Sequence, residues 1–118
     1  MKAVLLVSHG SRSQKTKEEI ARLVNELKKE SRVPIVEYAF LEIESPSIPE
    51  GIEICARKGA TKIIVLLNFL NAGQHVDQDI PRIVKAAAPK YPKISFQVTA
   101  PVGRHSKMRD LFLSLIED

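Results

Sequence analysis

Two of the three histidines in this sequence lie in glycine-containing segments that could bind a metal ion. His9 stands within residues 8–12 (Ser-His-Gly-Ser-Arg), and His75 ends residues 70–75 (Leu-Asn-Ala-Gly-Gln-His). Glu42, at the end of an apolar segment, adds a carboxylate. Two imidazoles and a carboxylate are a suitable donor set for a borderline divalent ion such as cobalt, nickel or zinc. Three protein ligands would leave coordination positions open for a substrate.

The elements that must position these residues alternate between strand and helix patterns. Apolar runs predict strands over 2–8, 34–42, 62–69 and 93–98. Apolar residues at helical spacing predict helices over 13–30, 48–58, 77–88 and 105–117. This order predicts an α/β fold: a four-stranded, mostly parallel sheet with helices on both faces, in one domain over residues 1–118.

In such a fold, ligands bind beyond the carboxyl ends of the strands. The loops there are predicted at 8–13, 41–48, 69–76 and 99–105, and they contain every histidine of the chain. If the first and third strands are neighbours, His9 and His75 overlook one crevice. Glu42 can point into the same space.

A single histidine at a strand end is more often a hydrogen-bonded loop residue than a ligand. The shared location of His9 and His75, in loops where glycine permits close approach to a ligand, favours a site. His105, near the start of the last helix, is predicted to be structural or exposed. Cys55 shares a helix face with apolar residues and is predicted to be a small core residue.

Arginines near these loops could contact the carboxylates of an anionic substrate. Arg12 and Arg104 are the candidates, together with Arg82, although surface charges are an equally simple explanation. Asp77 and Asp79 are at the start of the third predicted helix, where an N-cap role is simpler than metal binding.

Two further chemistries have weaker support. Ser8 and Ser11 flank His9, but the Gly-x-Ser-x-Gly pattern of a nucleophile elbow is absent. Residues 10–12 precede a helix and could bind phosphate at its N-terminus, but they lack the spacing of a nucleotide fingerprint.

The composition excludes several classes. The net charge is +4, but the chain has only six aromatic residues and scattered basic ones, so a nucleic-acid interface is not expected. No apolar run approaches the roughly 20 residues that cross a bilayer. The apolar start lacks the small-residue cleavage site of a signal peptide, and one cysteine excludes an intrachain disulfide. We expect a cytoplasmic protein.

Two segments resemble the short CbiX-type sirohydrochlorin chelatases, a group of class II chelatases. Residues 7–12 (Val-Ser-His-Gly-Ser-Arg) are similar to the amino-terminal histidine motif of that family. Residues 69–81, with His-Val followed by Asp-Ile-Pro, are similar to its second motif. A third, looser match joins residues 40–42 (Phe-Leu-Glu) with residues 46–47 (Pro-Ser).

The resemblance implies a lyase that inserts cobalt(II) or nickel(II) into sirohydrochlorin during cobalamin or nickel-coenzyme biosynthesis. A related branch inserts iron to make siroheme. The metal would be a substrate, so no permanent cofactor is implied. The fold would be a chelatase half domain that works as a homodimer.

The resemblance also implies residue roles. His9 corresponds to a metal ligand and proton acceptor, His75 to a second ligand and Glu42 to a third. The implied tetrapyrrole contacts are Ser45, Leu70, Asn71, Ala72, Gly73 and Gln74. Three alternatives stay open: an iron-inserting siroheme chelatase, a non-catalytic α/β module that binds a transition metal, and a domain that binds a phosphate ligand.

Overall fold

The chain alternates strands and helices along its length. The computed structural model describes residues 1–117. Its elements are β1 (Lys2–Ser8), α1 (Gln14–Ser31), β2 (Ile35–Phe40), α2 (Ile48–Arg57), β3 (Lys62–Leu67), a π-helix (His75–Asp79), α3 (Ile80–Ala87), a 3₁₀ turn (Ala88–Lys90), β4 (Ser95–Val98), a second 3₁₀ turn (Val102–Arg104) and α4 (Lys107–Ile116). The predicted alternation is confirmed, whereas the π-helix was not predicted.

The four strands form one parallel sheet in the order β2-β1-β3-β4. β1 is central: its Val7 is opposite Ala39 of β2 and Leu67 of β3. Because parallel neighbours end at the same edge, the loops after β1, β2 and β3 meet there. The predicted fold class is confirmed, and the first and third strands are neighbours, which is the condition for His9 and His75 to share a crevice. β2 is an edge strand, which agrees with the position of Pro34 immediately before its first residue.

One face of the sheet carries the larger part of the core, covered by α2 and α3. The alternating side chains of β1, Leu5 and Val7 among them, contact Ile52 of α2 and Ile80 of α3 in one buried cluster. At Gly51 of α2 an added Cβ would lie 2.8 Å from a Leu5 methyl group, so glycine permits this helix to approach the sheet closely.

The opposite face is covered by α1 over β1 and β2. Ile20 and Val24 of α1 pack against Leu6, Val36 and Phe40, which are buried. Ile20 and Val24 are four residues apart and so lie on one face of the helix, and Val36 and Phe40 are an even number apart and so lie on one face of the strand.

The last helix, α4, does not pack on this sheet. Its large apolar side chains are 48–76% exposed, namely Leu111, Phe112, Leu113, Leu115 and Ile116. The molecule is accordingly elongated, with extents of 50 × 32 × 29 Å. The apolar residues at helical spacing correctly predicted this helix, but they did not predict that its apolar face is exposed. Within residues 1–117, no helix has both the length and the apolar character needed to traverse a bilayer.

The buried interface between α2 and β1 provides a test of the packing. Ile52 is fully buried. We expect Ile52→Val to lower the free energy of unfolding by about 0.5–1.5 kcal/mol and Ile52→Ala by about 2–5 kcal/mol, because each deleted methyl group leaves a cavity. Urea denaturation measures both. Equal, near-zero effects would contradict the assigned core.

Candidate functional site

Three side chains meet at the carboxyl edge of the sheet: His9, Glu42 and His75. One candidate ligand atom from each lies within 4.8 Å of the other two. His9 Nε2 is 2.6 Å from Glu42 Oε1, and the two imidazole centroids are 5.6 Å apart. Each of the three side chains is about half exposed. The predicted convergence of the two histidines on one crevice is confirmed; their role as ligands stays a prediction.

Backbone pairing between the loops after β1 and β2 positions His9 and Glu42. Leu41 N donates to Ser8 O at 2.9 Å, and Glu42 N donates to His9 O at 3.1 Å, which continues the parallel ladder past the strand ends. Gly10 follows with φ 111°, and a Cβ there would lie only 1.9 Å from the carbonyl oxygen of Glu42. Glycine is therefore required where the two loops touch.

The residue after Glu42 has a backbone conformation that its type rarely adopts. Ile43 has φ 74°, in the left-handed region, and its side chain is 61% exposed. For a β-branched residue this conformation costs of order 1–3 kcal/mol, and such strain clusters at functional sites. Nearby, Ser11 N donates to Glu44 Oε1 at 2.8 Å, which ties the same two loops together again. Sequence reasoning missed both residues, and no motif or spacing in the sequence signals them.

His75 begins the π-helix, which is joined to the preceding loop by a hydrogen bond from Asp77 N to Gly73 O at 2.7 Å. His75 Nδ1 lies 2.8 Å from Asp79 Oδ2. Asp79 occupies the N-cap position of α3, but the predicted capping role of its side chain is wrong. The carboxylate accepts no hydrogen bond from a backbone N–H of α3 and contacts His75 instead. The four-residue spacing of His75 and Asp79 was the available signal. Asp77 lies inside the π-helix with an exposed side chain.

The geometry of the cluster suits one divalent ion. Ligand atoms about 2.1 Å from a shared ion are separated by about 3.4 Å in tetrahedral geometry and by about 4.2 Å at most. Separations of up to 4.8 Å are therefore within a side-chain adjustment of less than about 1 Å. The nitrogen and oxygen donors match cobalt, nickel, iron or zinc better than calcium or magnesium.

The other predicted contacts lie in clefts around this edge. Arg12 lines a cleft of about 400 Å³ together with Ile43 and Ser45. The loop 70–74 presents Leu70 with 63% of its surface exposed. Arg104 lines a separate, largely apolar cleft after β4, so the structure does not bring Arg12 and Arg104 together in one cleft.

The remaining candidates have local roles. Arg82 Nη1 lies 3.8 Å from Asp79 Oδ1, so this arginine already has a carboxylate partner within the chain. His105 accepts a hydrogen bond at Nδ1 from Lys107 N at 3.1 Å, in agreement with the structural role predicted for it. Ser8 is buried and its Oγ accepts from the Asn68 amide at 3.0 Å, which is not the setting of a nucleophile.

Cys55 is a core residue, as predicted. It is fully buried against the sheet, and burial raises the pKa of its thiol to about 12. The thiolate form needed for metal binding or nucleophilic attack is therefore negligible near neutral pH.

Comparison with known proteins shows the family to which this chain belongs. The family model described as CbiX matches residues 3–118. The chain belongs to the CbiX family. A chloroplastic sirohydrochlorin ferrochelatase of Arabidopsis thaliana is 34% identical over 108 residues, which are 92% of this CbiX-family chain and 48% of that protein. A sirohydrochlorin cobaltochelatase of Sulfolobus acidocaldarius is 33% identical, with 94% of this chain and 86% of that protein covered.

A solved structure confirms the fold of this CbiX-family chain. The sirohydrochlorin chelatase SirB of Bacillus subtilis subspecies spizizenii, in complex with cobalt, superposes with a TM-score of 0.88 at 33% identity. The match covers 98% of this chain and 49% of that one. The chain thus spans about half the length of several curated relatives that it matches.

The close contact at Gly10 provides a test of how the site is built. We expect Gly10→Ala to destabilise this CbiX-family chain by at least about 2 kcal/mol, because alanine is strained at φ 111° and its methyl group meets a carbonyl oxygen. Gly73→Ala is the control, since a Cβ there meets nothing within 4 Å, and it should change stability by no more than about 0.5 kcal/mol. Thermal denaturation compares them; equal effects would contradict the proposed contact.

Proposed function

We propose that this chain is a sirohydrochlorin chelatase that inserts cobalt(II) into the macrocycle. The observation that carries the proposal is the open cluster of His9, Glu42 and His75. The comparisons support the proposal, because the matching relatives include both sirohydrochlorin ferrochelatases and sirohydrochlorin cobaltochelatases.

The cluster can hold a divalent ion and still leave coordination positions open. Three protein ligands occupy part of the coordination sphere, and the exposed crevice admits water or a macrocycle to the rest. As the ion descends into the ring, pyrrole nitrogens replace the protein ligands one after another. The metal is a substrate in this scheme, and the chain needs no permanent cofactor.

Insertion exchanges one divalent cation for two pyrrole protons, so the site also needs proton acceptors. We assign one of these protons to His9. Neutral imidazole accepts a proton near pH 7, and Glu42, 2.6 Å from His9 Nε2, stabilises the imidazolium that forms. The second proton leaves to solvent, to which the half-exposed crevice is open.

The macrocycle is bound in this proposal by the loops around the cluster. Ile43 and Leu70 are large apolar side chains exposed in those loops, and they suit the face of a flat ring. We assign ring contacts to Ser45 and to the loop 70–74, in which Gly73 permits close approach. Arg12 is a candidate partner for the ring's carboxylates, since guanidinium binds carboxylate in bidentate fashion. Arg104 can serve the same purpose from its separate cleft.

Cobalt is preferred to iron because the Sulfolobus acidocaldarius relative, of which this chain covers 86%, is a cobaltochelatase. Relatives of which the chain covers less than half include ferrochelatases and a cobaltochelatase alike. The donor set itself suits cobalt, nickel and iron alike. Nickel is the second metal that we propose on that ground.

Removing either imidazole should abolish most of the activity. We expect His9→Ala and His75→Ala each to lower the rate of cobalt insertion by about 10²–10⁴-fold, since each removes a ligand and His9 also removes the proton acceptor. The absorption spectrum of sirohydrochlorin mixed with cobalt(II) and protein measures the rate. His105→Ala is the matched control and should retain wild-type turnover.

The same assay separates the rival functions. A non-catalytic metal-binding module would bind cobalt through the same histidines and leave the sirohydrochlorin spectrum unchanged. A phosphate-binding domain would bind neither. Wild-type turnover in both histidine variants would contradict the proposed site.

We also propose that two copies of this chain pair through α4. The apolar side chains of α4 form a large surface that is exposed to water, and an exposed apolar patch of this kind is typical of an interface. Met108 and Phe112 of α4 line a cleft with Leu70, so the apolar surface continues into the loop assigned to the macrocycle. This chain spans about half the length of several relatives, so a pair of chains would match the length of one such relative.

A charged side chain on α4 should break the pair. We expect a wild-type mass in solution of twice 13.2 kDa and a single-chain mass for Leu115→Asp, because that side chain would be buried in the interface. Ser114→Asp adds the same charge at the neighbouring position on the polar side of α4 and should leave the pair intact. Light scattering measures the masses, and a wild-type monomer at high concentration would contradict the pairing.

A further inference from the structure

One ring nitrogen of His75 contacts a carboxylate that is not part of the three-residue cluster. Its Nδ1 lies 2.8 Å from Asp79 Oδ2, within the π-helix that starts at His75. His9 differs, because its Nε2 contacts Glu42, which is itself part of the cluster. The two imidazoles therefore have different partners, one outside the cluster and one inside.

We infer that Asp79 is a positioning residue that keeps the proton of neutral His75 on Nδ1 and so presents the Nε2 lone pair to the metal. The inference rests on the proposed metal site. A neutral imidazole carries one N–H, and an ionised carboxylate can only accept a hydrogen bond. A carboxylate at Nδ1 therefore selects the tautomer with Nδ1 as donor, which leaves Nε2 as the ligand atom.

The π-helix supplies the spacing for this contact. π-turns occur mostly as short bulges, frequently at functional sites. Here one such turn starts at His75 and ends at Asp79, and Ile80 N closes it by donating to His75 O. Buried Val76 and Ile80 anchor the turn in the core, so the imidazole and the carboxylate are held at a fixed separation.

Arg82 forms a long ion pair with the other oxygen of the same carboxylate. Its Nη1 lies 3.8 Å from Asp79 Oδ1, while Oδ2 contacts His75. The Arg82 side chain is 71% exposed, so its attraction is largely screened by solvent and its contribution is secondary. The Asp79 side chain, only 27% exposed, is the residue on which the orientation of His75 depends.

The direct test is the tautomer of His75 in the metal-free protein. A neutral imidazole has one protonated and one unprotonated ring nitrogen, and ¹⁵N chemical shifts distinguish the two at alkaline pH. We expect His75 of the wild type to carry its proton on Nδ1. Asp79→Asn should give a mixture of tautomers, because an amide offers either a donor or an acceptor to Nδ1. Asp79→Glu retains a carboxylate and should restore the single tautomer.

Cobalt(II) alone, without a macrocycle, supplies the second readout. We expect Asp79→Asn to weaken cobalt binding by about 10–100-fold and to change the cobalt d–d absorption bands, as loss of an outer-shell partner does at other metal sites. Asp77→Asn, in the same π-helix, is the matched control and should bind cobalt as the wild type does.

The outcomes separate this inference from the function on which it rests. A wild-type proton on Nε2, or an Asp79→Asn variant with unchanged tautomer and cobalt affinity, would overturn the role of Asp79. If His75→Ala nevertheless loses cobalt binding, the metal site stands without that role. If His75→Ala binds cobalt as the wild type does, the metal site itself fails, and the positioning role fails with it.

Discussion

The site depends on hydrogen bonds that extend the parallel pairing of β1 beyond its own end. Leu41 and Glu42 donate to the carbonyls of Ser8 and His9, and on the other side Asn68 N donates to Val7 O at 2.9 Å. Backbone pairing of this kind fixes the loops after β1, β2 and β3 at one edge. Side chains separated by more than thirty residues along the chain thereby come within reach of a single ion.

The protein divides into a tightly packed part and an open part. All of β1 except Lys2 and Val4 is buried, as are the side chains of α2 and α3 that cover it, which makes that part rigid. The crevice, by contrast, is formed by half-exposed side chains and includes the strained backbone of Ile43. A rigid sheet beneath an open edge is well suited to a site that must admit a large flat ligand and then release it.

Much of the fold was predictable from the sequence, because strand and helix periodicities are local signals. The sequence predicted that His9 and His75 overlook one crevice if the first and third strands are neighbours, and the sheet order meets that condition. Cys55 was predicted in the core from its helix face alone. The π-helix was not predictable, because its widened turn depends on how residues 76 and 80 pack in the core rather than on a residue pattern. Nor was the left-handed conformation of Ile43, because isoleucine rarely adopts a positive φ and its neighbours do not signal one.

The exposure of α4 was unpredictable for a different reason. The apolar stripe of a helix indicates that something covers it, but the stripe does not say which surface does so. Here the chain turns after β4 through Gly103, whose Cα passes so near Leu70 that a Cβ would lie 1.6 Å from that carbonyl oxygen. The helix that follows runs away from the sheet, next to the loop assigned to the macrocycle.

The central claim is that one divalent ion binds between His9, Glu42 and His75. Anomalous diffraction at the cobalt edge, from crystals soaked in cobalt(II), tests this claim most directly. We expect one strong peak about 2.0–2.2 Å from a nitrogen of each imidazole and an oxygen of the carboxylate. A strong peak at another position, with none between these three side chains, would contradict it.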